Sequence, residues 1–180
     1  MKLRLSRADM LAQWKMRRYL EPLRQDCLMS RSDGIDLDAY CVMEMRRWYL
    51  DLMATAPVEY LAPSDLTLTA TVRRGEGNRG LITLPAGTVR VVRVKLSGWQ
   101  REATVVTDMS SPLARLQRNR FSCGGVERPV ALWSGEGSVL ELFSLPFLAG
   151  TPVVEALTAV VDPGPDLYEF DERAWNMLPE

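Results

Sequence analysis

The feature that most constrains the fold of this chain is a ladder of short apolar segments between Gly80 and Ser144, separated by glycine-bearing turns. Short apolar runs bounded by such turns are typical of β-strands. The predicted strands are Ile82–Pro85, Val89–Leu96, Ala103–Thr107, Val130–Trp133 and Val139–Phe143. Because they are short, regularly spaced and tightly joined, we expect an antiparallel or mixed sheet.

Further segments extend this β-rich region on both sides. Leu66–Arg73 alternates apolar residues with threonine, which predicts a half-exposed strand. The glycine-rich segment Arg74–Gly80 follows it and is predicted to be an exposed hairpin tip. A phosphate-cradling loop is the alternative, but such a loop requires a Gly-Lys-Ser/Thr ending that opens a helix. Ser134–Gly137 predicts a second hairpin tip, and Val153–Val161 predicts a final strand.

Two amphipathic helices precede the ladder. Ser6 and Asp9 resemble a capping box at the start of the first helix. The second helix is predicted over Leu37–Ala54, with Asp36 as its cap. Together they predict an antiparallel helical hairpin over residues 1–56. The predicted buried positions are Met10, Trp14, Met16, Leu20, Leu23, Cys27, Leu37, Cys41, Met45, Trp48 and Leu52, and the predicted solvent-facing positions of the second helix are Glu44, Arg47 and Asp51.

A short basic helix is predicted inside the ladder, over Pro112–Arg120. Ser111 can cap it, and proline is favoured in a first helical turn. Its arginines, Arg115, Arg118 and Arg120, are candidates for phosphate contacts. The alternative, which the neutral composition favours, is a solvated or subunit-facing helix whose leucines pack down on the sheet.

The predicted fold class is therefore α+β. A helical hairpin over residues 1–56 packs on a β-rich domain over residues 57–170, which carries the inserted helix at 112–120. Residues 171–180 are predicted to begin a C-terminal helix. Asp171–Glu172–Arg173 is a good helix start, and Ala174, Trp175 and Leu178 would begin its apolar face.

Composition argues against most enzyme classes. The chain has 180 residues and no histidine, which removes imidazole-based catalysis and nearly all zinc sites. Its 22 basic and 23 acidic residues give a net charge of −1, so no overall attraction to nucleic acid or to an anionic membrane is expected. No apolar run approaches the roughly 18 residues of a membrane helix, and no signal-peptide pattern is present. We expect a non-enzymatic protein without cofactors that does not bind membranes and is made in a reducing cytoplasm.

Residual candidates for metal or acid–base chemistry are weak. Asp33, Asp36 and Asp38 surround Gly34, but their order differs from that of a calcium loop, so a turn and a helix cap are expected. Other acidic residues are scattered, and no catalytic pair is readable among them. They are Glu102, Asp108, Glu136 and Glu141. The three cysteines, in no Cys-x-x-Cys spacing, are expected to be reduced.

Five local motifs together resemble one family. They are Ile82–Ala86, Lys95–Trp99, Ser111–Phe121, Arg128–Ala131 and Leu140–Ser144. In their order along the chain they resemble the head-to-tail connector, or neck adaptor, proteins of tailed bacteriophages and prophages, of the tail-tubular-protein-A type. The resemblance spans roughly residues 35 to 178. It implies an α+β subunit without enzymatic activity that forms a ring beneath the portal.

The resemblance also implies where function lies. A ring subunit works through contacts with its own copies, with the portal protein and with tail proteins, first in the bacterial cytoplasm and then in the virion neck. The predicted interface residues are Arg74, Glu76, Asn78, Arg79, Trp99, Arg101 and Glu136. For Trp99 the alternative is a side chain folded back on its own sheet.

Two other hypotheses remain open. The first is a small nucleic-acid-binding module that uses Arg115, Arg118 and Arg120; the same helix could also contact DNA in the lumen of a ring. The second is a magnesium-dependent hydrolase that uses carboxylates.

Overall fold

The computed structural model describes residues 1–18, 36–119, 121–135, 138–146 and 150–178. In chain order the elements are β1 (Lys2–Ser6), α1 (Arg7–Arg17), α2 (Leu37–Thr55), a 3-10 helix (Val58–Tyr60), β2 (Ser64–Asp65), β3 (Val72–Arg74), β4 (Arg79–Thr83), β5 (Thr88–Leu96), β6 (Thr104–Val106), α3 (Pro112–Gln117), β7 (Val130–Leu132), β8 (Val139–Phe143), β9 (Val154–Val161), β10 (Leu167–Asp171) and a second 3-10 helix (Glu172–Met177). The predicted α+β class is confirmed.

The chain divides into two compact units. The terminal unit combines Met1–Ala62 with Asp162–Glu180, and the central unit is Pro63–Val161. The sequence analysis instead predicted that the helical part ends at residue 56 and that residues 57–170 form the β-rich domain. The difference arises because β10 pairs with β1, near the N-terminus, and therefore belongs to the unit that contains α1 and α2.

The N-terminal strand β1 was not predicted. It pairs antiparallel with β10, with Lys2 opposite Asp171 and Ser6 opposite Leu167. Its residues do alternate, with Leu3 and Leu5 set between polar neighbours, but the run is only five residues long and its partner lies at the other end of the chain. A pairing between such distant segments leaves no local signal in the sequence.

The two helices begin as their capping residues predict. The Ser6 hydroxyl oxygen accepts a hydrogen bond from the Asp9 N–H at 3.2 Å and donates one to the Asp9 carboxylate at 2.7 Å. The Asp36 carboxylate accepts the N–H groups of Asp38 and Ala39 at 2.9 and 3.2 Å. These bonds satisfy amides that have no partner inside the helix.

The predicted helix faces are mostly confirmed. Met10, Trp14, Cys41, Met45, Trp48 and Leu52 are buried. Met16 is exposed, which is contrary to the prediction, and Leu37 is only partly buried. Leu20, Leu23 and Cys27 lie outside the described residues.

Aromatic side chains form the core of the terminal unit. The Trp48 ring stacks on the Trp175 ring, with centroids 5.2 Å apart and planes 9° from parallel. Phe170 meets Trp48 edge-on at 5.6 Å, and Trp14 lies 5.7 Å from Trp48. Such tilted and edge-on pairs stabilise a core beyond simple area burial. This core joins α1, α2, β10 and the last 3-10 helix.

The predicted start of a C-terminal α-helix is instead a six-residue 3-10 helix. Asp171 caps it by accepting the Arg173 N–H at 3.1 Å. An α-helix this short is marginal on its own. Burial of Trp175 against Trp48 holds the segment in place.

The central unit contains two sheets. One has the strand order β3-β4-β8-β7-β6 and the other β2-β9-β5. Among the described strands of this unit, all pairs are antiparallel except β6 with β7. The prediction of an antiparallel or mixed sheet is therefore confirmed: the five-stranded sheet is mixed and the three-stranded sheet is antiparallel. The inserted helix α3 lies on the connection between the two parallel strands. The buried core of this unit includes Ile82, Val94, Leu96, Leu140, Leu142 and Leu157.

The predicted strand over Leu66–Arg73 is largely wrong. Its first half is a turn, because the Asp65 carboxylate accepts the Thr67 N–H at 2.9 Å and the Thr67 hydroxyl at 2.6 Å. The Ala70 N–H then donates to the Leu66 carbonyl at 3.0 Å. Aspartate favours such local bonds over a strand ladder. Only Val72–Arg74 joins the sheet.

Candidate functional site

Helix α3 presents its arginines to solvent. Ser111 caps the helix by accepting the Ala114 N–H at 3.3 Å, and its own hydroxyl donates to the Asp108 carbonyl at 2.7 Å. Arg115 and Arg118 are exposed, as predicted for phosphate-contacting residues. Arg120 lies outside the described residues.

The inward face of α3 is small and polar. Ala114 is buried against the sheet, and Gln117 is buried beside it. The Gln117 side-chain carbonyl accepts the Gly124 N–H at 2.9 Å, and its amide donates to the Leu113 carbonyl at 3.2 Å. The bond from Gly124 fastens the helix to the loop that follows it, and the bond to Leu113 lies within the helix.

The leucines of α3 therefore point outward. The expectation that they pack on the sheet is wrong, because Ala114 and Gln117 occupy the inward positions. Leu113 and Leu116 are exposed, and Phe121, just after the helix, is 93% exposed. We call Leu113, Arg115, Leu116, Arg118 and Phe121 the basic-apolar patch.

The loop after α3 holds Phe121 outward by local hydrogen bonds. The Asn119 side chain accepts the Phe121 N–H at 3.0 Å, and the Ser122 hydroxyl donates to the Leu116 carbonyl at 3.0 Å. The exposed ring thus sits in a hydrogen-bonded turn.

The predicted hairpin tip after β3 is present. Strands β3 and β4 pair with Arg74 opposite Gly80, and the Gly75 N–H donates to the Arg79 carbonyl at 3.0 Å. The side chains of Arg74, Glu76 and Arg79 are exposed, and Asn78 is partly exposed.

Three of these hairpin residues also make contacts within the subunit. The Arg74 guanidinium donates to the Gly150 carbonyl at 2.6 Å. The Arg79 guanidinium lies 5.3 Å from the centre of the Phe143 ring. The Asn78 carbonyl accepts the Leu145 N–H at 3.1 Å. The base of the tip is therefore fixed to its own unit.

Trp99 is not an exposed interface anchor. It is 4% exposed, packs in the core of the central unit, and donates its indole N–H to the Ser144 carbonyl at 2.9 Å. The alternative interpretation, a tryptophan folded back on its own sheet, is the one the structure shows. Gly98, with φ of 86°, makes the turn. Arg101 is exposed, and Glu136 lies outside the described residues.

A second apolar surface on helix α2 was missed by the sequence analysis. Tyr40, Met43 and Leu50 are exposed, with Met43 at 58%. Their spacings of three and seven place them on one face, opposite the buried face. Glu44, Arg47 and Asp51 lie on the same solvent side, as predicted. We call Tyr40, Met43, Glu44, Leu50 and Asp51 the outer stripe of α2.

The signal for this surface was present in the sequence. Tyr40, Met43 and Leu50 form a second apolar set at helical spacing, beside the buried set that begins at Cys41. Single exposed apolar residues are common on protein surfaces, whereas three at helical spacing form a continuous face.

The turn at Leu66–Ala70 exposes one further apolar side chain. Leu68 is 99% exposed at its apex. The turn is fixed by the Asp65 bonds and by the Leu157 N–H, which donates to the Thr67 hydroxyl at 3.0 Å.

The shifted pKa values belong to turns, caps and core. Hydrogen bonds from the Arg173 side chain and N–H lower the pKa of Asp171 to about 2. Hydrogen bonds from Thr67 lower the pKa of Asp65, and those from Ser110 lower the pKa of Asp108. Burial raises the pKa of Tyr49 to about 12. Each shift is explained by a bond or burial that stabilises local structure.

Most of the described acidic residues considered for chemistry have local partners. Asp36 caps α2, and Asp38 pairs with the Lys15 ammonium at 2.7 Å. Glu102 pairs with the Arg93 guanidinium at 2.5 Å. Asp33 lies outside the described residues. Within the ranges that the structure covers, no three cysteine or carboxylate side chains group closely enough to hold a metal ion.

Comparison of the chain with protein-family models found no match, and comparison with curated proteins found none either. In the part of the chain that is described, no helix has both the length and the apolar character needed to span a bilayer.

Proposed function

We propose that this protein is a non-enzymatic structural subunit of a phage or prophage neck, which forms a ring and joins portal to tail through its interfaces. The fold class fits the resemblance given above, since helices and a β-rich unit are combined in one chain. The virion neck is the proposed site of action, with assembly in the bacterial cytoplasm.

The observation that carries the proposal is the basic-apolar patch. Phe121, Leu113 and Leu116 are exposed together with two arginines on one short segment. Arginine and aromatic residues are enriched at protein interfaces. Full burial of a Leu or Phe side chain contributes about 1.5–3 kcal/mol. Phe121 can contribute nearly that much on association, whereas Leu113 and Leu116, which are 38% and 47% exposed, can contribute only a part of it.

The test is the mass of the purified protein in solution. Light scattering or native mass spectrometry, combined with negative-stain imaging, should reveal closed rings either alone or after addition of a portal protein. A chain that stays strictly monomeric at high concentration and does not bind a portal would contradict the proposal.

A nucleic-acid-binding module remains a second candidate, favoured by one observation. Arg115 and Arg118 are exposed on the same segment as the Phe121 ring, and exposed cations with an aromatic ring can hold single-stranded nucleic acid. Binding should then weaken steeply with salt and be lost when Arg115, Arg118 and Arg120 are changed to alanine. Weak binding that the substitutions leave unchanged would remove this candidate.

A further inference from the structure

We propose that the basic-apolar patch binds a segment of a different protein, one in which apolar side chains stand next to carboxylates. This inference rests on the proposed function and names the chemistry of the partner that this surface of the subunit takes.

Hydrogen bonds within the central unit hold the patch in shape. The Gly124 N–H donates to the Gln117 side chain at 2.9 Å, which ties α3 to the loop that follows it. The Phe121 N–H donates to the Asn119 side chain at 3.0 Å, which fixes the turn that carries the exposed ring. A surface that is ordered before binding loses little conformational entropy when a partner docks on it.

The patch contains a depression with room for a large side chain. Its volume is about 340 Å³, and it is lined by Pro112, Arg115, Leu116, Asn119 and Ser122. Pro112 and Leu116 give it an apolar wall, and Arg115 places a cation in the same lining. Side chains that fill such pockets contribute most of the affinity of a protein interface. We therefore expect an apolar side chain of the partner in the depression and a carboxylate beside it.

The charges of the patch select an acidic partner. Residues 109–126 contain three arginines and no aspartate or glutamate. Among the described residues, neither Arg115 nor Arg118 forms an ion pair. Asp108, just before the helix, accepts the N–H and the hydroxyl of Ser110 at 2.8 and 2.6 Å and is held in its own turn. The two guanidinium groups can therefore bind carboxylates of a partner, with which arginine forms paired hydrogen bonds.

The central unit as a whole has the same sign of charge. Residues 63–161 contain eleven basic and eight acidic residues, whereas the complete chain has 22 and 23. Like charges brought together oppose binding strongly, and complementary charges guide the choice of partner. Contact of the patch with the same patch on a second copy is therefore disfavoured.

The apolar residues of the patch favour a protein over a nucleic acid. Leu113 and Leu116 are exposed on the same segment as the Phe121 ring. Single-stranded nucleic acids bind through aromatic rings and cations, so they would leave the two leucines unused. Apolar side chains of a protein segment can cover the leucines as well as the ring, and this removes more apolar surface from water.

Selection from a library of random peptides tests which chemistry the patch binds. The full chain and a variant with Arg115→Glu and Arg118→Glu are immobilised separately and exposed to the same library. The unmodified chain should enrich peptides in which leucine, phenylalanine or tryptophan stands next to aspartate or glutamate, and the variant should not. Absence of enrichment, enrichment of basic peptides, or the same peptides on both proteins would overturn the proposal.

A synthetic peptide with the most enriched sequence makes the test quantitative. Its dissociation constant, measured by fluorescence anisotropy, should rise about tenfold or more with Arg115→Glu and Arg118→Glu together, and likewise with Phe121→Ser. A second peptide, with lysine at each acidic position, should bind the charge-reversed variant more tightly than it binds the unmodified chain. Failure of this exchange would show that the arginines do not face the carboxylates of the peptide.

A matched control separates the patch from the general charge of the unit. Arg73→Glu with Arg101→Glu changes two exposed arginines elsewhere on the central unit by the same total charge, and should leave the affinity for the peptide close to that of the unmodified chain. Circular dichroism and the thermal midpoint check that every variant is folded. A single-stranded DNA oligonucleotide that binds the patch more tightly than the peptide does would show that the occupant is a nucleic acid and would overturn the proposal.

The two proposals can fail separately. If the unmodified chain forms no ring with or without a portal protein, the proposed function fails whatever the peptides show. If it forms rings and no acidic-apolar peptide binds the patch, the proposed function stands and this inference is overturned. Rings that the unmodified chain forms alone and that Phe121→Ser abolishes would show instead that another copy of the chain occupies the patch.

Discussion

Ser144 has a backbone conformation that its side chain disfavours. Its φ is 66°, and in the described ranges it is the one non-glycine residue with positive φ. Its carbonyl accepts the Trp99 indole N–H, which keeps the chain in this conformation. Its hydroxyl is buried and has no hydrogen-bond partner among the described residues. Both features cost free energy in the folded state.

Ser144→Gly should therefore stabilise the protein. Glycine adopts positive φ without strain and removes the buried hydroxyl, while the carbonyl that holds Trp99 is retained. After the entropic cost of glycine is subtracted, we expect a gain of about 1 kcal/mol in the free energy of unfolding. Urea unfolding monitored by tryptophan fluorescence measures it.

Ser138→Gly is the matched control for this change. Ser138 is exposed and its φ is not positive, so glycine there should cost about 0.5–1 kcal/mol. A loss of stability in Ser144→Gly as large as in the control would contradict the argument.

Trp99 shows how far a single residue can be predicted from sequence. The turn that precedes it was recognised because Ser97–Gly98 is a turn dipeptide. The direction of the indole was not, because it depends on the Ser144 carbonyl, which lies far along the chain. The local sequence predicts the turn, whereas a tertiary contact decides whether the tryptophan side chain faces the core.

At the scale of elements, the loop that follows α3 fixes the basic-apolar patch. A Cβ atom on Gly124 would collide with the Arg128 carbonyl oxygen, whereas one on Gly125 would meet nothing within 4 Å. Neither glycine has positive φ, so only steric space distinguishes them. The Gly124 N–H also donates to Gln117, which anchors the helix.

Gly124→Ala should therefore destabilise the protein and Gly125→Ala should not. Overpacking against backbone typically costs about 1–3 kcal/mol, and the shift would also strain the bond to Gln117. Alanine at Gly125 should be neutral or stabilising by up to about 1 kcal/mol, because it restricts the unfolded chain. Equal effects of the two substitutions on the free energy of unfolding would show that the close approach to Arg128 is not important.

Elements with local signals were predicted well. The caps of α1 and α2 were read from Ser6 and Asp36, and β8 was predicted with its observed bounds. In β5, alternation alone places Val92 on the same face as Val94 and Leu96, which are buried, but a register shift between Val91 and Arg93 leaves Val92 partly exposed and buries Val91. A bulge changes which residues face the core, and alternation alone does not reveal it.

The candidate interface was predicted only in part. Arg115 and Arg118 were predicted as exposed, since charge itself favours solvent. The exposed leucines of α3 and the outer stripe of α2 were not, because an apolar residue at helical spacing normally indicates a core position. Exposed apolar groups become visible only when the packing of the unit is known.

At the scale of the whole molecule, the central unit is one continuous segment whose two ends meet. Ser64, near its start, pairs with Ala159, near its end, through β2 and β9. The terminal unit is built from the two chain segments on either side, joined by β1 with β10 and by a bridge between Leu61 and Phe170. A segment with adjacent ends and its own buried core has the anatomy of an inserted domain.

The fragment 63–161 should therefore fold on its own. Its core includes Ile82, Leu140 and Leu157, all from within the fragment, so removing the terminal unit takes no residue from that core. We expect dispersed amide resonances and cooperative urea unfolding from the isolated fragment. A matched fragment with Leu140→Asp should be unfolded, because it buries an unpaired charge. Collapsed, poorly dispersed spectra from the unmodified fragment would show instead that the central unit requires the terminal unit to fold, and that the chain is a single cooperative domain.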